Sequence, residues 1–309
     1  MLLIERDWLS SNQVMFFDEQ AGEQEATLLD SGYGTHAQFT LQLVEHALSA
    51  RGLQIKALRT LINTHLHSDH CGGNALIAEK SGCRVLVPAA EFNTVRDWDE
   101  DALTFRATSQ HCERFSADAA VGDGDELLLG GLQWRAHAAP GHDPHSLILF
   151  CEEHRLLISA DALWENGFGI IFPELSGESG FPEQQSVLDL IESLDAELVI
   201  PGHGQAFGQV PAAIARARAR LAALRDDPQR NARNALKALI KFLMLEMQTV
   251  SVDLLLQRVA QARILHNAAQ LLQMSLEQAI LWTLDALEKS GQIRRDGDRL
   301  SNDEPQAVS

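Results

Sequence analysis

Residues 64–70 read Thr64-His65-Leu66-His67-Ser68-Asp69-His70, just behind the apolar run Leu58-Arg59-Thr60-Leu61-Ile62. Three imidazoles and a carboxylate within six residues exceed what packing asks of a loop after a buried strand. His65 and His67 stand two apart and can face one ion. Asp69 and His70 can turn toward a second as the chain enters the next helix. Imidazole and carboxylate donors suit zinc, and also iron or manganese. A solvated polar loop is the plain alternative, and three companions downstream displace it.

Those companions are His142 in Pro140-Gly141-His142-Asp143, Asp161 in Ser159-Ala160-Asp161, and His203 in Pro201-Gly202-His203-Gly204. Each follows an apolar strand, where a strand end would present it to a common edge. Any one histidine of this kind, taken alone, reads as an ordinary polar residue. Three such placements, in order behind the first cluster, reverse that reading. Upstream, Ala26-Thr27-Leu28-Leu29-Asp30 is a strand that stops in a tight loop containing Gly32 and Gly34.

The rest of the first 210 residues alternates strands with helices. Two strands span residues 13–30, a helix 35–50, a strand 57–65, a helix from Asn74 that Gly82 ends, and a strand 83–88. Residues 91–120, with Trp98, Phe105 and Phe115, read as loop and helix near the site mouth. A hairpin and strand run to His142. Two strands turning at Glu152-Glu153-His154 run to Asp161, then a helix covers 183–194 and a strand ends at His203. Alternation of this kind, with chemistry-bearing residues at strand ends, predicts an α/β sandwich. Beyond residue 210 the chain is Ala- and Arg-rich and helical, interrupted near Pro228. Two more helices, 251–264 and 275–291, lead to Asp296-Gly297, a hairpin signal between short polar strands. Helices followed by such a hairpin predict a winged-helix-like module. The expected division is a catalytic domain over 1–228 and a helical, winged-helix-like domain over 229–309, with the tail 301–309 unstructured.

At 309 residues and about 150 per domain, two domains are expected. Hydrophobic residues at 45% and charged residues at 22% are those of a globular protein with an ample core. The net charge of −18 repels polyanions, so a nucleic-acid-coating role is disfavoured. No apolar run approaches the ~20 residues that span a bilayer. The start lacks a basic region followed by a long apolar one, so no signal peptide is expected and the cytoplasm is the expected compartment. Cys71, Cys83, Cys112 and Cys151 are scattered and form no CxxC pair, which predicts free, mostly buried thiols.

The set His65-Leu66-His67-Ser68-Asp69-His70, then His142, Asp161 and His203 in their motifs, resembles the metallo-beta-lactamase-fold hydrolase superfamily. It most resembles the branch holding hydroxyacylglutathione hydrolases and related thioesterases, lactonases and RNases. The resemblance covers about residues 10–225 and implies an αββα sandwich with two divalent cations, most simply zinc, on one sheet edge. It places His65, His67 and His142 on the first cation and Asp69, His70 and His203 on the second. Asp161 would reach both. Asp30 would stand behind the ligands, orienting an imidazole or loop amides. Two close cations bring the pKa of a shared water toward about 7, so a bridging hydroxide would attack a thioester, ester or lactone carbonyl. Asp69 would be both ligand and proton acceptor. Ser146 and Ser159 beside His145 and Asp161 look like a triad only superficially.

Trp164, Phe168, Phe172 and Phe181 follow Asp161 and would wall an apolar acyl pocket, while His145 would sit at the rim. The expected substrate is a small thioester or ester, with no membrane partner and a homo-oligomer left open. Two alternatives stand. The C-terminal module resembles an extension found on a branch that includes an endoribonuclease. Arg216, Arg218, Arg220, Arg225, Arg230, Arg233, Lys237 and Lys241 would then be an RNA track rather than a solvated helix face. Alternatively, the module, with Leu254, Leu255, Ile264, Leu271, Leu272, Leu276, Ile280 and Leu284, serves a metabolite-sensing interaction protein with weak activity.

Overall fold

The structure, a computed structural model, describes residues 1–7, 10–20 and 23–302. Two sheets dominate it. The first contains β1 (Leu2–Ile4), β2 (Gln13–Gln20), β3 (Glu23–Leu29), β4 (Leu58–Ile62), β5 (Arg84–Pro88) and β6 (Ala119–Val121), in that spatial order. The β1–β2–β3 pairs are antiparallel and the β3–β4–β5–β6 pairs parallel. The second sheet contains β7 (Glu126–Leu129), β8 (Leu132–Ala138), β9 (Leu147–Cys151), β10 (Leu156–Ala160) and β11 (Leu198–Pro201), all antiparallel except β10–β11.

Strand periodicity explains the layering, because alternate side chains leave opposite faces. Val14 and Phe16 point inward to meet Trp134 of β8, with the Phe16 and Trp134 rings edge to face at 5.5 Å. Met15 points outward with Leu28 and Leu61, under α1 (Ala37–Ser49) and α3 (Asn74–Ser81), which follows the short α2 (Ser68–Cys71). On the other side, Ile148 and Leu157 pack under α7 (Phe181–Leu194) and α8 (Val210–Asp226), behind α4 (Phe92–Asp97), α5 (Phe105–Thr108) and α6 (Phe172–Leu175) in the chain. Strands β9 and β10 are buried along their whole length, which is why Leu-Ile-Leu-Phe-Cys and Leu-Leu-Ile-Ser-Ala show no polar alternation. The result is an αββα sandwich.

After Pro228 the chain forms α9 (Gln229–Met247), β12 (Thr249–Ser251), α10 (Val252–Val259), α11 (Arg263–Leu271), α12 (Leu276–Lys289), β13 (Ile293–Asp296) and β14 (Arg299–Asn302). Strands β12, β14 and β13 form a small antiparallel sheet whose hairpin turns at Gly297, φ +59°. Ser275 and Gln278 close a reciprocal capping box at the start of α12. This mainly helical region with its β-wing is consistent with a winged helix. Its core includes Leu236, Ile240, Leu255, Ile264, Ile280 and Leu284, and Ala107 and Leu175 of the sandwich join it. Leu254 and Leu271 stay exposed. Tyr33 ties α9 down: its hydroxyl donates to Glu246 Oε2 at 3.1 Å and bonds Gln110 Oε1 at 2.8 Å. No described helix is long and apolar enough to cross a membrane.

The structure departs from the sequence reading in three places. Residues 251–264 are not one helix: buried Ala262 turns extended (ψ 91°), separating α10 from an unforeseen α11. Packing overrides the helical preference of alanine there. The short strands β1, β6 and β12 were likewise unforeseen. Ser301 and Asn302 belong to β14 rather than to a loose tail, and residues 303–309 lie outside the described ones. Truncating the fully buried Ile280 to Ala should cost about 2–5 kcal/mol of stability. Denaturant unfolding reads this out, and an unshifted midpoint would contradict the packing described.

Candidate metal centre

The loops at the carboxyl ends of β3, β4, β10 and β11, with the β8–β9 connection, meet at one edge of the sandwich. They assemble two groups of donor atoms, each within 4.8 Å of one another: His65, His67 and His142, and Asp69, His70, Asp161 and His203. In the first group His67 Nδ1 lies 3.1 Å from His65 Nε2 and 2.8 Å from His142 Nε2. In the second, Asp69 Oδ2 lies 3.0 Å from His203 Nε2 and 4.0 Å from His70 Nε2. Asp161 faces both groups. Its Oδ2 is 3.3 Å from His142 Nε2, and its Oδ1 is 3.4 Å from His70 Nε2.

His142, His70 and His67 are each oriented by their other nitrogen. His142 Nδ1 bonds the Ile170 carbonyl at 2.5 Å, which leaves Nε2 as a lone pair aimed inward. His70 Nδ1 bonds Asp30 Oδ2 at 2.8 Å. His67 turns the opposite way, with Nδ1 inward and Nε2 3.5 Å from Asp143 Oδ2. Asp30 does more than hold His70, because it also accepts the Thr64 amide at 2.9 Å and the Thr64 hydroxyl at 2.8 Å. It keeps φ at +58°, a strained setting for a non-glycine residue, which those three bonds overcome.

These donors fit two divalent cations. His70 Nε2 is buried without a hydrogen-bond partner. The three ring nitrogens of the first group cannot satisfy one another either, since each short contact accommodates one proton at most. Electrostatics agrees. Burial alone would push the His70 pKa down, yet Asp30, Asp161 and Asp69 outweigh it and hold the pKa well above the ordinary histidine value. Burial, then the neighbouring His70 and His67, keep His65 well below that value. Burial, then His67, bring His142 down to about 4. Burial opposes the charge on Asp161, but His203 and His70 keep its pKa well below the carboxylate range. Asp69 is likewise lowered by His70 and His203 against burial. The centre thus combines neutral His65 and His142 with ionised carboxylates, while His70 must give up its proton before it can ligate.

Two glycines are required for closeness. A Cβ on Gly202 would strike Asp161 Oδ1 and the His70 ring, and one on Gly169 would strike the His142 ring. Other supports come from far along the chain and were not evident in the sequence. The Asn12 side chain donates to the carbonyls of Pro201 (3.0 Å) and Gly204 (2.7 Å), clamping the loop that carries His203. The Ser11 amide donates to Asp69 O at 3.0 Å. Trp164 Nε1 donates to Asp161 Oδ1 at 3.2 Å. Trp164 was legible only as pocket wall, and Asp143 only as a neighbour of His142.

Beside the donors opens a cavity of about 250 Å³, walled by Phe105, Trp164, Phe168, Phe172, Leu239 and Phe242. His67, Asp69, His142, Asp161 and His203 form its floor. Phe181 is not in the wall: it packs between the second sheet and its helices. His145 is exposed, and Ser159 donates to the Leu163 carbonyl, so no serine triad forms. The four cysteines are free and buried.

An αββα sandwich with paired His/Asp donor groups at its edge defines a metal-dependent hydrolase. The metallo-beta-lactamase superfamily model matches residues 6–203, and the chain belongs to that superfamily. It is 26% identical over 225 residues to an acyl-coenzyme A thioesterase of Bos taurus, covering 66% of this chain and 77% of that one. It is 31% identical over 137 residues to a hydroxyacylglutathione hydrolase of Idiomarina loihiensis, covering 44% and 43%. The chain therefore spans less than half of that hydrolase. A crystal structure of a metallo-beta-lactamase family protein from Thermus thermophilus superposes with a TM-score of 0.57 at 20% identity, over 97% of both chains. That likeness extends the shared fold through the C-terminal region.

Because His70 is held protonated by three carboxylates, cation binding must expel that proton. Affinity should fall as pH drops below the raised His70 pKa. Calorimetric titration with Zn²⁺ in buffers of different ionisation enthalpy should show net proton release near neutral pH, and no release would contradict the assignment. Asn12→Ala should weaken metal binding by about 10–100-fold, as for other groups that brace ligands. A chelator-competition assay measures this, and unchanged affinity would remove Asn12 from the support.

Proposed function

We propose that the chain hydrolyses acyl thioesters at a two-zinc centre. The observation that carries this reading is the apolar cavity opening directly onto the donor cluster. Likeness to a thioesterase and to glutathione thioester hydrolases supports the same substrate class. His65, His67 and His142 would hold one cation, Asp69, His70 and His203 the other, and Asp161 would contact both. Bound there, the cations would supply a water nucleophile at neutral pH and polarise the carbonyl oxygen.

The chain's own residues do the rest. Phe168, Phe172 and Leu239 take the acyl chain out of water and fix the carbonyl over the centre. Asp69 stays ionised below the ordinary carboxylate range and is free to accept the proton that water gives up on attack. Asp143 holds His67, and Asp30 holds His70, so the donors need not reorganise during the reaction. The boundary near Pro228 separates a catalytic domain from a C-terminal domain that closes the cavity through α9.

Each methylene added to the acyl group should gain about 0.8 kcal/mol by burial. The KM of a homologous thioester series should then fall three- to fourfold per carbon until the cavity fills. A KM independent of chain length would contradict the acyl assignment. His67→Ala should lose at least one metal equivalent and most turnover. Elemental analysis beside a thioester, lactone and RNA substrate panel tests this, and full metal occupancy in the variant would contradict it.

A further inference from the structure

The basic residues of α8 and α9 do not form one track. Arg218 pairs with Asp189 and Glu192, both at 2.7 Å. Arg216 donates to the Glu165 carbonyl at 2.8 Å, Arg225 to Phe181 O at 3.1 Å, and Lys241 to Gln292 O at 2.7 Å. These four pin the helices to their surroundings. The remaining four, Arg220, Arg230, Arg233 and Lys237, gather with Asn234 around a separate pocket of about 300 Å³.

We propose that this cationic pocket binds the phosphate-bearing end of the thiol leaving group, a proposal that rests on the thioesterase reading. Arg220 lines both the pocket and the acyl cavity, so the two spaces adjoin at its side chain. Its guanidinium lies 4.9 Å from the Phe168 ring centroid and makes no ion pair or hydrogen bond among the described residues. Burial depresses its pKa, so this cation lacks the compensation that a partially desolvated charge requires. Among the described residues Asp227 is the one carboxylate paired with the group, to Arg230 at 3.4 Å and Arg233 at 2.8 Å. Four cations against one carboxylate leave a local positive surplus on a chain of net charge −18.

The placement selects the ligand. Helix α9 runs from Phe242 and Leu239 at the cavity to Arg230 at the far side of the pocket, about 18 Å along its axis between Phe242 and Arg230. With an acyl chain in the apolar cavity, the substituent on sulfur would reach the cationic pocket along Arg220, the side chain the two spaces share. Three guanidinium forks and an ammonium match phosphoryl oxygens, which carry more charge and more acceptors than one carboxylate. The pocket's small size favours one or two phosphates over a polymer. A phosphorylated nucleotide thiol, as in coenzyme A, has that chemistry.

The test titrates adenosine 3′,5′-bisphosphate into the zinc-loaded full chain by calorimetry. It should bind, and Arg230→Gln/Lys237→Gln should weaken it roughly tenfold or more, with Lys237→Arg retaining affinity. Arg84→Gln, an exposed cation on β5, should leave it unchanged. The double variant should also lose, by a similar factor, the kcat/KM preference for a coenzyme A thioester over the N-acetylcysteamine thioester of the same acid. The pocket assignment is overturned if the bisphosphate fails to bind, or binds the double variant equally well. It is also overturned if single-stranded RNA displaces the bisphosphate and is cut. Binding lost in the double variant, with no thioester turned over by any form, would keep the phosphate site and remove the thioesterase reading instead.

Discussion

Buried charge that the proton on His70 balances only in part is the constraint around which this molecule is organised. Seven donor side chains, all but His67 buried, converge where imidazoles face ionised carboxylates at 3–4 Å. Transferring such groups from water costs several kcal/mol each unless something compensates them. The compensation is layered. Asp30, Asp143 and the Ile170 carbonyl orient the rings from outside. The inward-facing nitrogens and oxygens remain, and they suit cations.

The fold answers this demand by bringing strand ends together. Parallel pairing of β3, β4 and β5 puts Asp30 and the 64–70 loop on one edge. Parallel pairing of β10 with β11 sets Asp161 beside His203, and the Gly202 contact fixes their separation. The inter-sheet core around Trp134 holds the two halves of the centre at fixed distance. Helix α9 completes the arrangement, with one face inside the C-terminal core and another on the aromatic-walled cavity. The C-terminal region thereby helps wall the space over the donors rather than standing as an appendage.

The donor residues were legible in the sequence because each is a polar residue at the end of an apolar strand, often beside glycine. The sandwich was legible because its strands and helices differ in periodicity. The bracing residues were not. Asn12 acts on a loop 189 residues away, and nothing local distinguishes it from a turn asparagine. Asp143 carries no local signal, because its role depends on the inverted ring of His67 that faces it. The basic residues of α8 and α9 are uniform in sequence, and only their partners in space, Asp189, Glu192 and backbone carbonyls on one set and a shared pocket on the other, separate anchors from pocket. The break at Ala262 depends on packing that no local preference encodes.

Anomalous diffraction from crystals grown with Zn²⁺, recorded at the zinc edge, addresses the central claim most directly. Two peaks per chain are predicted, one among His65, His67 and His142, the other among Asp69, His70 and His203, with Asp161 reaching both. An absence of peaks at these donors, or zinc bound only elsewhere, would contradict it.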